Sequence, residues 1–205
     1  MTFPTRRERQ AQQTKRDIVQ AARQLFVERG YQGTSIARIA EVAGVSVQTI
    51  YDSLGSKAAI VRELNALIDD EGNVRQIAAS VFEADDPRTL IHRATAITAS
   101  ICSNCGDIVK ATMSAAGIDA ELAEVYAEGI RRHRMGIGRA VERLASMGAL
   151  RRGLDPEGAG DIMAGLSEPR VAFAFVDGYG WSIERWHTWV TGALCTLLLE
   201  PGTTE

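Results

Sequence analysis

A chain of 205 residues, 45% apolar and 24% charged, has enough material for one or two packed domains and the composition of an ordinary globular protein. No apolar run approaches the ~20 residues a membrane-spanning helix needs, and the polar N-terminus lacks the apolar stretch of a secretory signal. Three cysteines (Cys102, Cys105, Cys195) are too few for a disulfide framework, so a cytoplasmic setting is expected. The net charge of −3 argues against nucleic-acid binding only until it is divided. Residues 1–62 hold ten Lys and Arg against five acids, a charge of +5, which leaves −8 for the rest. A phosphate-binding head on an acidic body fits that split; chance asymmetry of two solvated surfaces is the alternative.

In chain order, residues 1–13 read as a flexible basic arm, able to reach a phosphate or the minor groove or else a solubilising tail. From Thr14 to Arg29, Ile18, Ala21, Ala22, Leu25 and Phe26 make one helical face, closed by Gly30. Residues 34–57 read as a helix-turn-helix. Thr34 or Ser35 caps the first helix, Ile36, Ile39 and Ala40 form its inner face, and Gly44 turns the chain. Ser46 caps a second short helix, Val47–Asp52, pinned from inside by Val45 and Ile50. Val47, Gln48, Thr49 and Tyr51 are left outward, a surface suited to base edges and phosphates.

The run Gly44-Val-Ser-Val-Gln-Thr-Ile-Tyr51, followed by Gly55-Ser-Lys57, resembles the signature of the TetR family of one-component regulators, with the likeness spanning about Arg16 to Leu64. Where the family often has an aromatic or His and then Phe after the tyrosine, this chain has Asp52, Ser53 and Leu54. The resemblance implies an all-α protein: a three-helix DNA-binding head (14–55) and a helical effector-binding and dimerisation body (56–205), about nine or ten helices in all. It also implies that the helix after Ser56 runs long and links head to body, and that the last two large helices pair in a homodimer.

Beyond the head, Ser56 caps a helix carrying Ala59, Ile60, Leu64, Leu67 and Ile68. Lys57 in its first turn gains nothing from the helix dipole, which suggests a phosphate partner or a solvated lysine. Asp85-Asp86-Pro87 breaks the chain, a helix follows to Ser103, and Asn104–Gly106 kinks or divides it before a short helix to Ala116. A long helix runs to about Met147, and Pro156 starts another that Pro169 interrupts. Phe173, Phe175 and Val176 read as a short apolar segment entering an Asp177–Gly180 loop, and the last helix runs from about Ser182 until Pro201-Gly202. No strand-like alternation of useful length appears.

No catalytic set is found. His92, His133 and His187 lie apart with no metal-ligand spacing, and there is no phosphate loop, dinucleotide fingerprint or nucleophile elbow, so neither cofactor nor metal is expected. Cys102 and Cys105 read as a redox pair or as small core fillers. Arg131, Arg132 and Arg134 read as a solvated face, with His133 alone on the apolar stripe. Met113, Tyr126, Met135 and Phe173, with His133, are candidates for an effector pocket, each with core packing as its alternative. In the last helix Trp186, Val190, Ala193, Leu194 and Leu197 form a stripe that covers its own core or self-associates.

The expected function is a sequence-specific regulator, a homodimeric repressor released from a palindromic operator by a small molecule. Ser46, Val47, Gln48 and Thr49 are expected in the groove, and Thr34, Ser35, Tyr51 and Lys57 on phosphates. An activator, a nucleoid-type binder, and an enzyme or carrier with an incidental hairpin are the alternatives.

Overall fold

A computed structural model describes residues 5–201, and its described residues form eleven helical segments. They are α1 (Arg6–Arg29), α2 (Ile36–Ala43), α3 (Val47–Leu54), α4 (Lys57–Asn65), α5 (Ile68–Glu71), α6 (Val74–Phe82), α7 (Pro87–Ala116), α8 (Ala120–Ser146), α9 (Pro156–Leu166), α10 (Pro169–Tyr179) and α11 (Ile183–Leu198). The one β pairing described is an isolated bridge between Leu150 and Leu199. No described helix is long and apolar enough to cross a membrane.

The chain divides into two compact units, residues 1–67 with 107–126, and 68–106 with 127–205. In the first, α1 lays Ile18, Ala21, Ala22, Leu25 and Phe26 against Ile39 and Ala40 of α2, Ile50 of α3, and Ile60, Val61 and Leu64 of α4. Residues 107–126 belong to this packing through polar ties. Arg23 Nε and Nη2 donate to the two Asp107 carboxylate oxygens at 2.5 and 2.9 Å, and Asn65 Nδ2 donates to Thr112 Oγ1 at 2.8 Å. Arg62 pairs with Glu121, and Tyr31 Oη donates to Asp119 Oδ2 at 3.1 Å. A division at 55/56 therefore cuts through packed structure.

In the second unit Leu90, Ile91 and Ala94 of α7, Ile137, Ala140 and Val141 of α8, Met163 of α9, Phe173 of α10, and Trp186, Val190 and Leu194 of α11 are buried.

Three departures from the sequence-based elements have local causes. Residues 5–13 of the expected arm are ordered as the start of α1; Met1–Pro4 lie outside the described residues. Thr5 forms a capping box with Glu8, its hydroxyl accepting from Glu8 N–H and its own N–H donating to the Glu8 carboxylate. The expected long helix after Ser56 is instead three segments. Asn65 turns its side-chain amide back onto Val61 O at the end of α4, and the Gly72-Asn73 pair, with Asn73 at φ 53°, separates α5 from α6. Pro169 starts α10 rather than ending order there, because a proline at the first helical position lacks only an N–H that has no partner anyway. Residues 177–179 continue that helix. The break expected at Asn104–Gly106 is present, with Cys105 at φ −131°, ψ 17° inside α7. α11 ends at Leu198, before Pro201; Gly202 lies outside the described residues.

Candidate nucleic-acid interface

The turn between α2 and α3 is built locally. Ser35 caps α2, its Oγ accepting from Arg38 N–H at 3.1 Å. Gly44 closes α2 in the left-handed region (φ 67°, ψ 32°), and Val45 N–H donates back to Ala40 O at 3.0 Å. Ser46 then caps α3 by accepting from Thr49 N–H at 3.0 Å. Ile39 and Ile50 have no exposed surface, so the inner sides of both helices are fixed and the outer side of α3 is determined by default.

That outer side carries Val47, Gln48 and Tyr51, the last 49% exposed. Gln48 is held: its Nε2 donates to Asp52 Oδ1 at 2.8 Å, one turn on. An ionised carboxylate only accepts, so the amide nitrogen must face Asp52. Its second N–H and its carbonyl remain to address a base. The Thr49 hydroxyl lies 2.8 Å from Ser46 Oγ and completes the cap, which leaves its methyl as the group able to touch a base.

Two expected phosphate contacts are corrected. Thr34 is 1% exposed, and its hydroxyl faces Leu25 O and Gly30 O at 3.1 and 2.8 Å, bracing the α1–α2 turn from inside. Lys57 is half-buried and engaged: its ammonium donates to Tyr31 O and lies 4.0 Å from the centre of the Tyr31 ring. Burial pulls its pKa below the ordinary lysine value, partly opposed by Asp119. Tyr31 itself, desolvated and bonded to Asp119, has its pKa pushed up to about 12. Sequence reasoning missed this Tyr31–Lys57–Asp119 group, because no local pattern links residues 88 apart.

Of the expected effector residues, Met113 and Tyr126 belong to the first compact unit, His133 and Phe173 to the second. Phe173 is buried over Gly106. Met135 is 55% exposed. His133 Nε2 lies 3.0 Å from Ala164 O and 3.5 Å from Ser167 Oγ. A carbonyl only accepts, so that nitrogen carries the proton. Burial lowers the His133 pKa against the opposing Ala164 bond, giving a neutral ring. His92 and His187, apart in sequence, pack with their rings tilted by 45° and centroids 4.5 Å apart. All three cysteines are buried, and no described group of His, Cys, Asp and Glu could hold a metal.

The α11 stripe is also corrected. Trp186, Val190 and Leu194 are fully buried in the chain's own core, and the Trp186 indole N–H has no partner among the described residues. Of the five residues expected at a dimer contact, Leu197 is exposed (42%) and Ala193 half-buried. Beside them Trp189 joins Phe175, Tyr179 and Trp181 in an aromatic cluster, with centroids 4.7 to 6.0 Å apart and Tyr179 75% exposed.

The family model of bacterial regulatory proteins of the tetR family matches residues 18–64, the span from the first buried residue of α1 to the last of α4. The chain is 29% identical over 154 residues to YdeS, an uncharacterised HTH-type transcriptional regulator of Bacillus subtilis, covering 74% of this chain and 75% of that one. Among solved structures it resembles NalD, the secondary repressor of the MexAB-OprM multidrug efflux pump in Pseudomonas aeruginosa (TM-score 0.72, 19% identity, 93% and 98% of the two chains). It also resembles FadR of Bacillus subtilis, a transcriptional regulator in complex with stearoyl-CoA (TM-score 0.70, 17% identity, 88% and 97%). At these identities the structural likeness is one of fold. The family match falls on the capped helix-turn-helix and gives this chain the DNA-binding head of the TetR family of helix-turn-helix transcriptional regulators, a family whose members bind DNA and small-molecule effectors and are not enzymes.

Proposed function

We propose that the protein is a cytoplasmic repressor that binds a palindromic operator as a homodimer and leaves it when a small molecule occupies the body. The observation that carries this reading is the outer side of α3, where Val47, Gln48, the Thr49 methyl and Tyr51 are presented by a doubly capped turn. Gln48 pairs with adenine through its carbonyl and free N–H, while Val47 and the Thr49 methyl contact thymine methyls. The Tyr51 and Ser35 hydroxyls and the first turn of α3 at Ser46 bind phosphates and set register. NalD is itself a repressor, which supports the sign of regulation.

One short recognition helix reads only a few base pairs, and a two-fold pair doubles the contact. The dimer face that fits the buried α11 stripe is its other side: Trp189, Ala193 and Leu197, with Tyr179 of α10. His133 and Phe173, both in the second compact unit, remain proposed effector contacts, and FadR's complex with stearoyl-CoA supports ligand binding in a body of this fold. Release requires the ligand to favour a state that DNA disfavours; equal binding to both would shift nothing.

Selection of bound sites from a random duplex pool at near-physiological salt tests this. An enriched inverted repeat is expected. Binding without sequence enrichment would instead identify a nucleoid-type binder and overturn the reading.

A further inference from the structure

The cations of the first compact unit sort into two groups by what they touch. Lys15 pairs with Glu63 at 2.8 Å, Arg23 with Asp107, Arg38 with Glu41 at 2.6 Å, and Arg62 with Glu121. Lys57 lies on Tyr31, and Arg29 is near enough to Glu41 to help lower its pKa. The guanidinium groups of Arg6, Arg7, Arg9 and Arg16, by contrast, have no ion pair or hydrogen bond among the described residues. The positive excess seen in the sequence is thus neutralised over most of the head and left open at the beginning of α1.

That beginning is an overhang. Every residue from Thr5 to Gln13 is exposed, and the first buried side chain of α1 is Ile18. Arg6–Gln13 therefore extends about 12 Å of helix, at ~1.5 Å per residue, with no core contact of its own. So short a helix is not stable alone. It persists as the continuation of a packed helix whose end is fixed by the Thr5–Glu8 box. Glu8, the only acid between Arg6 and Arg16, has its carboxylate turned to Thr5 N–H at 2.6 Å, a bond that keeps its pKa below the ordinary value. The helix end is thereby closed to an outside anion, and what the overhang offers is guanidinium groups, which suit phosphate oxygens.

We propose that the start of α1, through Arg6, Arg7 and Arg9 of the overhang and Arg16 just beyond it, is the principal phosphate-backbone contact of the protein, a rigid basic rod rather than a flexible arm. It supplies affinity without sequence information, while the outer side of α3 reads bases. The inference rests on the DNA-binding reading and assigns to α1 the electrostatic role that Lys57 does not fill.

Affinity of the full chain for its selected duplex and for a scrambled duplex, measured across a KCl series, tests it. Each phosphate contact contributes about 0.9 to the slope of log K against log salt. The Arg6→Gln/Arg7→Gln/Arg9→Gln variant is expected to lower that slope by about 3 per protomer. Both duplexes should weaken by the same factor, with the melting temperature unchanged because these side chains are exposed. An Arg139→Gln/Arg143→Gln/Arg152→Gln variant, of equal charge change, is expected to keep the wild-type slope. An unchanged slope in the first variant, an equal loss in the second, or weakening confined to the selected duplex would overturn the inference while leaving the regulator reading intact. Failure of the wild-type protein to bind either duplex would overturn both.

Discussion

Helices α3 and α11 are both amphipathic, both begin at a serine cap, and both carry large apolar or aromatic residues at contact positions, yet they use them in opposite ways. In α3 one residue, Ile50, is buried, and Val47, Gln48 and Tyr51 are left exposed. In α11 the continuous stripe of Trp186, Val190 and Leu194 is core, and the side left exposed is the more broken one with Trp189 and Leu197. The most regular apolar stripe on a helix marks what the chain itself covers. Contact surfaces are found among the residues the core leaves over.

The largest effect that could break this contrast is in α11. Trp186→Ala should lower stability by about 3–5 kcal/mol in urea unfolding, as expected for removing a fully buried aromatic ring. Trp189→Ala should leave unfolding of the protomer far less affected and shift sedimentation towards monomer. A Trp186→Ala protein that is monomeric but equally stable would show the stripe facing a partner after all. In α3, Gln48→Ala should cost about 1–3 kcal/mol of operator binding and relax preference at one base position, with no change in melting. Asp52→Asn should relax preference at that same position by less, since the amide is then free to flip, and should tighten binding to unrelated duplex by removing a negative charge near phosphates. In the Gln48→Ala background Asp52→Asn should no longer alter base preference; an undiminished effect would mean that Asp52 acts independently of Gln48.

The smallest effect is a pH dependence on the inner side of α11. Burial holds the His187 pKa below its ordinary value of 6.5, opposed by its bond to His92 O and reinforced by the His92 charge. His133 is shifted the same way by burial. The folded state therefore resists a proton that the unfolded chain accepts. Stability is full above about pH 6.5 and declines as pH falls below it. His187→Gln should flatten melting temperature between pH 7 and 5; an unchanged profile would exclude His187 as its source.

The helix-turn-helix was legible because everything that makes it is local. Ser35, Gly44, Ser46 and the Ile39–Ile50 pair lie within 16 residues, and each acts through caps or spacing visible in the sequence. Thr34 and Lys57 were misplaced for one shared reason. Their partners are main-chain oxygens of Leu25, Gly30 and Tyr31, and a carbonyl has no sequence signature. The α11 stripe was visible, but periodicity reports that a face is covered and not by what. The α1 overhang was read as an arm because its residues have no apolar pattern; its helicity comes from Thr5 and Glu8, three residues apart, and from the helix it continues.

The ties from Arg23 to Asp107, Tyr31 to Asp119 and Asn65 to Thr112 span 84, 88 and 47 residues. On the ribosome, the head is made well before the segment that completes it. At ~5–20 residues per second, α1–α4 wait several seconds with the Arg23 and Tyr31 partners not yet synthesised. A fragment ending near residue 67 would be arrested permanently at that stage, with those ties unmade. The DNA-binding head is thus defined by its site but not by a cut: as a folding unit it includes residues supplied from the middle of the chain, and expression of the first third alone should give a poorly structured product.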